Sequence, residues 1–233
     1  MPEHANDTGW DHMPPAPQAG EDLFFSEGIL WGTLIATDTG WRRVETLSPG
    51  DLVQTFDCGL RPLTEVHHAA ASVAPDDWPA AHWPLAVPAG VLGNTTDMRV
   101  LPGQLVLLDS DIADDMLGDP FALVPARALD QWRGIRPQRP KLGERAVVLL
   151  FDSDQIVYAA SSVLLFCPGL AGQTIDPAPW MSAFPLPVDL VAPPSYAPLP
   201  LNVARTLVAS MRAQDLGAQT LRAQDPGGIT ATS

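Results

Sequence analysis

The chain has 233 residues, which at roughly 150 residues per domain allows one domain with extensions. Hydrophobic residues make up 46% and charged residues 17%; that apolar share can fill a core and argues against wholesale disorder. Acidic residues outnumber basic ones 27 to 13, a formal charge of −14, which repels phosphate backbones and anionic lipid and weighs against nucleic-acid and membrane-surface roles. Twenty-five prolines and 18 glycines disfavour a helical bundle.

The two cysteines, Cys58 and Cys167, are too few for a disulfide scaffold or a structural zinc site. No basic, apolar leader opens the chain and no apolar run approaches 18 residues. A cytoplasmic location is the default expectation, with export lacking a cleaved leader left open.

Residues 1–22 are polar, acidic and Pro-bearing, and are expected to be a mobile tail. From Leu23 to about residue 170, short apolar runs alternate with turn signals every eight to twelve residues, which predicts an all-β domain. Thr33–Thr37 is a predicted strand, turned by Asp38-Thr39-Gly40 into Arg42–Leu47. Ser48-Pro49-Gly50-Asp51 predicts a type II turn, with Pro presetting its second position and Gly accepting the positive φ of its third. Leu52–Phe56 is the next strand, Asp57-Cys58-Gly59 the next turn, and Pro62–Val66 extended again. Pro75–Pro88, with four prolines, is expected to be a loop whose Trp78 and Trp83 cover the core edge. Met98–Leu101 and Leu105–Leu108 flank a Pro102-Gly103 turn, and Asp109–Asp119 is expected to be an acidic loop. Ala122–Val124 and Ala146–Phe151 are apolar enough for buried strands. Asp152-Ser153-Asp154 is expected to make a hairpin into Gln155–Ala159.

Eight prolines between Pro177 and Pro200 keep residues 171–200 out of any sheet interior; that segment is expected to wrap the surface in extended form or to be loose. Leu201, Ala204, Leu207, Val208 and Met211 recur at helical spacing and predict a short amphipathic helix over 201–216. The last eight residues are expected to be disordered. Arg212–Asp215 recurs as Arg222–Asp225, too short a match to define a repeat.

Gly32–Thr37, with Val44–Val53 after it, resembles the opening of bacterial Hint domains, the hedgehog/intein superfamily. Pro88–Asn94, Leu101–Leu108, Leu123–Ala126 and Leu149–Asp152 come next in the order that family shows. The resemblance spans about residues 23–170 and implies a horseshoe of short strands with internal pseudo-two-fold symmetry. In working members a Cys at the first position of the domain attacks the peptide carbonyl before it, closing a five-membered ring and forming a thioester. A His donates to the leaving nitrogen, helped by a Ser or Thr.

Carried over, the nucleophile falls on Gly28, the Ser/Thr on Leu101 and the His on Gln104. Two further His positions fall on Val148 and Asp154. None of these side chains does that work: Gly28 has none, and Gln104 has no proton that titrates near neutrality. The resemblance therefore implies a degenerate domain with autoprocessing lost, no catalytic residue, cofactor or metal, and a binding or scaffolding role. Its site would be the former cleft at Gly28, Leu101, Gln104 and Val148, taking a peptide or the chain's own tail; the partner, a protein or peptide, is not legible. Two alternatives stay open. Residual cleavage near Gly28 would use the hydroxyl of Ser26 or Thr33, and an interaction module would work through Pro177–Pro200.

Other candidates carry less. His67 and His68 are neighbours in a predicted strand, point to opposite faces and cannot chelate one metal together. His4, His12 and His82 are isolated. The acids from Asp109 to Asp119 lack the frame of an EF-hand loop. Each cysteine is expected to be a free, semi-buried thiol; a bridge between them requires α-carbons within about 7 Å.

Overall fold

The computed structural model describes residues 27–71, 74–170 and 197–224. Within them lie fourteen short strands in three antiparallel sheets and two α-helices. The first sheet joins β1 (Ile29–Leu30), β12 (Arg145–Leu150) and β6 (Glu65–Ala70), with β12 central. The main sheet runs β10 (Phe121–Pro125), β9 (Leu105–Asp109), β14 (Val163–Cys167), β13 (Gln155–Ala159), β2 (Leu34–Thr37), β4 (Leu52–Thr55), β5 (Gly59–Pro62), with β3 (Gly40–Arg43) paired to β2. A third, small sheet orders β11 (Arg136–Pro137), β7 (Leu85–Val87) and β8 (Met98–Val100).

The turns obey the sequence chemistry. Gly50 takes φ +91° and the Asp51 N–H donates to the Ser48 carbonyl at 3.1 Å, as a type II turn requires. The Asp51 carboxylate accepts from the Ser48 N–H and pairs with Arg42 at 2.9 Å. Period-2 burial then sorts the strands: Ile35, Val53, Val106, Val124, Val157 and Leu165 join one core, which also holds the fully buried Phe151.

Three expectations are corrected. Asp111–Leu117 is an α-helix (α1), not a loop. Ser110 caps it by accepting from the Ile112 N–H, Gly118 ends it in the left-handed region, and Asp111 and Asp114 sit in its first turn, where the helix dipole favours acids. Within Pro75–Pro88, residues Ala80–His82 form a 3-10 turn and Leu85–Val87 a strand; Trp78 is buried, and the half-buried Trp83 donates its indole N–H to the Trp78 carbonyl. Asp152–Asp154 is no hairpin, because β12 and β13 belong to different sheets. The chain crosses between layers there, held by the Asp154 carboxylate accepting from the Gly169 N–H at 2.8 Å.

The second helix, α2, spans Leu201–Gln224, longer than its apolar spacing suggested. Its first half buries Ala204, Leu207, Val208 and Met211 against β10, α1 and the 3-10 turn Ala126–Leu129. Asp215 accepts from the Trp132 indole and from both Nε and Nη2 of Arg133 at 2.8 and 2.5 Å. Just before the helix, the Leu199 N–H donates to the Leu123 carbonyl. The expected tail 1–22, most of Pro177–Pro200 and the last eight residues lie outside the described residues.

Candidate functional site

Three of the five implied positions converge at the first sheet. Ile29 faces Val147 and Leu30 faces Ala146, so Gly28 abuts Val148 at the start of β1. A Cβ on Gly28 would lie 3.4 Å from Val148 Cγ2 and 3.2 Å from the Val147 carbonyl oxygen, and the backbone there holds φ +102°. Leu101, fully buried, closes the same region by packing with Leu30 and Ala146. The result is a tight apolar joint with only Val148 half-exposed.

Gln104 belongs to the turn that carries Leu101, its N–H donating to the Leu101 carbonyl, but its side chain runs toward β14. It is buried, and its amide donates to the carbonyls of Phe166 (2.8 Å) and Leu105 (3.1 Å). Both N–H groups are thus spent on backbone acceptors, a fixed structural arrangement rather than a proton relay. Asp154 stands apart at the crossing between sheets, tied to Gly169.

The imidazoles are placed as strand geometry dictates. His67 shares a face with Glu65, its Nε2 2.7 Å from Oε2, while His68 meets Trp31 edge-on. His67 faces Val148 across the β12–β6 ladder. Two strand spacings therefore separate it from Gly28, about 10 Å. Both cysteines are free: Cys58 is exposed on the β4–β5 turn, and Cys167, next to Phe166 in β14, is buried with its thiol pushed far up by burial. Thr33 is half-buried and serves its turn through the backbone, accepting from Val44 N–H and donating to Leu30; Ser26 lies outside the described residues. Among the described residues no group of three His, Cys, Asp or Glu side chains could hold a metal ion, and no helix is long and apolar enough to cross a membrane.

Sequence reasoning missed one feature beside the joint. Arg127, in the 3-10 turn after β10, acts electrostatically on both Glu27 and His82. Crowding by protein pushes the Glu27 carboxyl above its usual range while Arg127 pulls it back; the residue as a whole keeps solvent contact, so it is crowded rather than enclosed. Desolvation, with Arg127 adding to it, holds His82 below its usual value and hence neutral at pH 7. The Arg127 N–H bond to the Pro102 carbonyl links this trio to the 101–104 turn, and nothing in residue spacing announced it.

The family profile described as the Hint domain matches residues 28–163, more than half of the chain, and opens at Gly28. The chain belongs to the Hint domain family. Among solved structures, this Hint domain is similar to a bacterial intein-like domain from Clostridium thermocellum, at 13% identity and TM-score 0.42, covering 60% of this chain and 97% of that one. It is also similar to the AceL NrdHF class 3 split intein in a splice-inactive variant, at 13% identity and TM-score 0.36, with 60% and 97% covered. The gp41-1 intein matches at 12% identity and TM-score 0.32, with 59% and 97% covered. Likenesses this distant carry no weight for activity. No curated protein matches.

Proposed function

We propose that this Hint domain no longer processes itself and serves as a protein- or peptide-binding module. The observation that supports the first half is the joint at Gly28. The position that would carry the nucleophile lacks a side chain and abuts Val148, Leu101 fills the space beside it, and Gln104 spends its amide on two backbone carbonyls. A thioester mechanism needs a thiol, a proton donor for the leaving nitrogen and room for a tetrahedral centre; the residues here offer none of these.

Support for binding comes from the outer face of the main sheet. Leu34, Trp41, Leu52 and Leu60 project on the same side of the four adjoining strands β2–β5, each at least 36% exposed. Four large apolar side chains exposed on one sheet face are the feature that best fits an interaction surface. The tightly packed joint is the poorer place for a ligand. To test the reading, the full chain is incubated with dithiothreitol or hydroxylamine and weighed intact. The expected outcome is an unchanged mass of 24.9 kDa; release of residues 1–27 would overturn the inactive reading.

A further inference from the structure

Basic side chains are scarce in this chain, twelve arginines and one lysine against 27 acids. Most described arginines are committed. Arg42, Arg43, Arg61, Arg99, Arg133 and Arg139 each pair with a carboxylate, and Arg145 stacks over Trp31. Arg127, Arg136, Arg205 and Arg212 have no such ion pair among the described residues, and three of the four, Arg127, Arg205 and Arg212, line one groove between the Ala126–Leu129 turn and α2. Arg205 and Arg212 are seven residues apart, two helical turns on one face and about 10 Å along the axis. Val208 and Ala209 also line the groove, Asp130 is the one acid among its lining residues, and it is a half-open depression of about 240 Å³. Asp215, the acid nearest Arg212 in sequence, is already engaged by Arg133 and Trp132. Three exposed guanidiniums around a concave site on a protein of charge −14 form a local anion trap, suited to forked pairing with carboxylates.

We propose that this groove takes the chain's own acidic N-terminal segment, residues 1–26. Charge complementarity selects it. Those residues carry Glu3, Asp7, Asp11, Glu21 and Asp22 and no Lys or Arg, whereas residues 171–196 carry only Asp176 and Asp189. Position selects it too: the segment ends next to Glu27, whose carboxyl already feels Arg127 at the groove's edge. Five residues reach at most about 17 Å, so Asp22 stays within that radius of Glu27 and of the side on which Arg127 acts. Such pairing rests on the proposed inactive reading, since residues 1–26 must stay joined at Glu27–Gly28, and an intact mass of 24.9 kDa in the same sample separates failure of that reading from failure of the groove.

Paramagnetic NMR on the full chain tests it. A nitroxide is attached at Ala209→Cys in a Cys58→Ser background, with Cys167 buried and unreactive, and the amide signals of Glu21 and Asp22 are followed. At low salt they are expected to lose more than half their intensity. Recovery is expected in 0.5 M salt, where charge pairing is screened, and in the charge-reversed pair Arg205→Glu with Arg212→Glu, its strand amides reporting an intact fold. Full intensity at low salt overturns the proposal, as does quenching that survives both salt and charge reversal. So does quenching seen only between a spin-labelled chain and a separate isotope-labelled chain, which assigns the groove to a second copy.

Discussion

Replacing Gly28 with cysteine restores the family's nucleophile in name only, at a cost set by the local backbone. That backbone sits at φ +102°, where a side chain costs about 1–3 kcal/mol. The new Cβ would also press on the Val147 carbonyl oxygen at 3.2 Å, a ladder atom that cannot yield without disturbing the β1–β12 pairing. Gly40 has the same φ of +102° with nothing within 4 Å of its would-be Cβ, so Gly40→Ala measures the backbone part alone and Gly28→Ala adds the contact. We expect Gly28→Cys to lose about 3 kcal/mol in total, which at a urea m-value of about 2 kcal/mol/M lowers the midpoint by about 1.5 M. Gly40→Ala should lose less than Gly28→Ala. Despite its thiol, Gly28→Cys should release no N-terminal fragment with hydroxylamine, since Gln104 is locked to Phe166 and His67 lies two strands away. A fragment of 27 residues in the intact-mass spectrum would refute this reasoning; its disappearance on adding His82→Gln would name His82 as a replacement acid. Equal stability of Gly28→Ala and Gly40→Ala would refute the packing account.

Single contacts set the other expected outcomes. Gln104→Leu strands the Phe166 carbonyl and should cost about 1–3 kcal/mol, lowering the thermal midpoint by several degrees; an unchanged melt would show that the two amide hydrogen bonds contribute nothing. Gly169→Ala places a Cβ 2.4 Å from the backbone of Ser153, so loss of about 3 kcal/mol or more and faster hydrogen exchange at 151–154 are expected. Hydrogen bonds from Arg133, with Trp132 assisting, hold the Asp215 carboxyl below its usual range. A lowered folded value means stabilisation present above the unfolded pKa of about 4 and lost as pH falls through the folded one. Asp215→Asn should therefore cost about 1 kcal/mol near pH 7, given how exposed Arg133 is. That gap to the unaltered chain should close as pH is taken below 4 in denaturant titrations.

Much of this architecture was legible because turn chemistry is local. Ser48–Asp51 and Asp38–Gly40 are encoded by residues that touch each other, and period-2 burial places Val53 and Val157 without knowledge of their partners. The α2 stripe was equally plain at Ala204, Leu207, Val208 and Met211. The α1 helix was not, because Asp111, Asp114 and Asp115 have low intrinsic helix propensity while the features that favour the helix, the Ser110 cap, the dipole and Gly118, act only at its ends. Which sheet a strand joins was also hidden: Leu150 and Gln155 are close in sequence, yet their strands pair in different layers. At the site, identities at Gly28, Leu101 and Val148 were readable one by one, but that Leu101 and Gln104 diverge from one turn, and that Arg127 reaches Glu27, depends on how distant segments pack.

The turn at Ala126–Leu129 receives the first half of α2, and its Arg127 acts electrostatically on Glu27 just ahead of the first strand, so one short turn serves both the second helix and the entry to the first sheet. A label or cargo meant to spare the Arg-lined groove belongs instead on the β4–β5 tip, at the exposed thiol of Cys58.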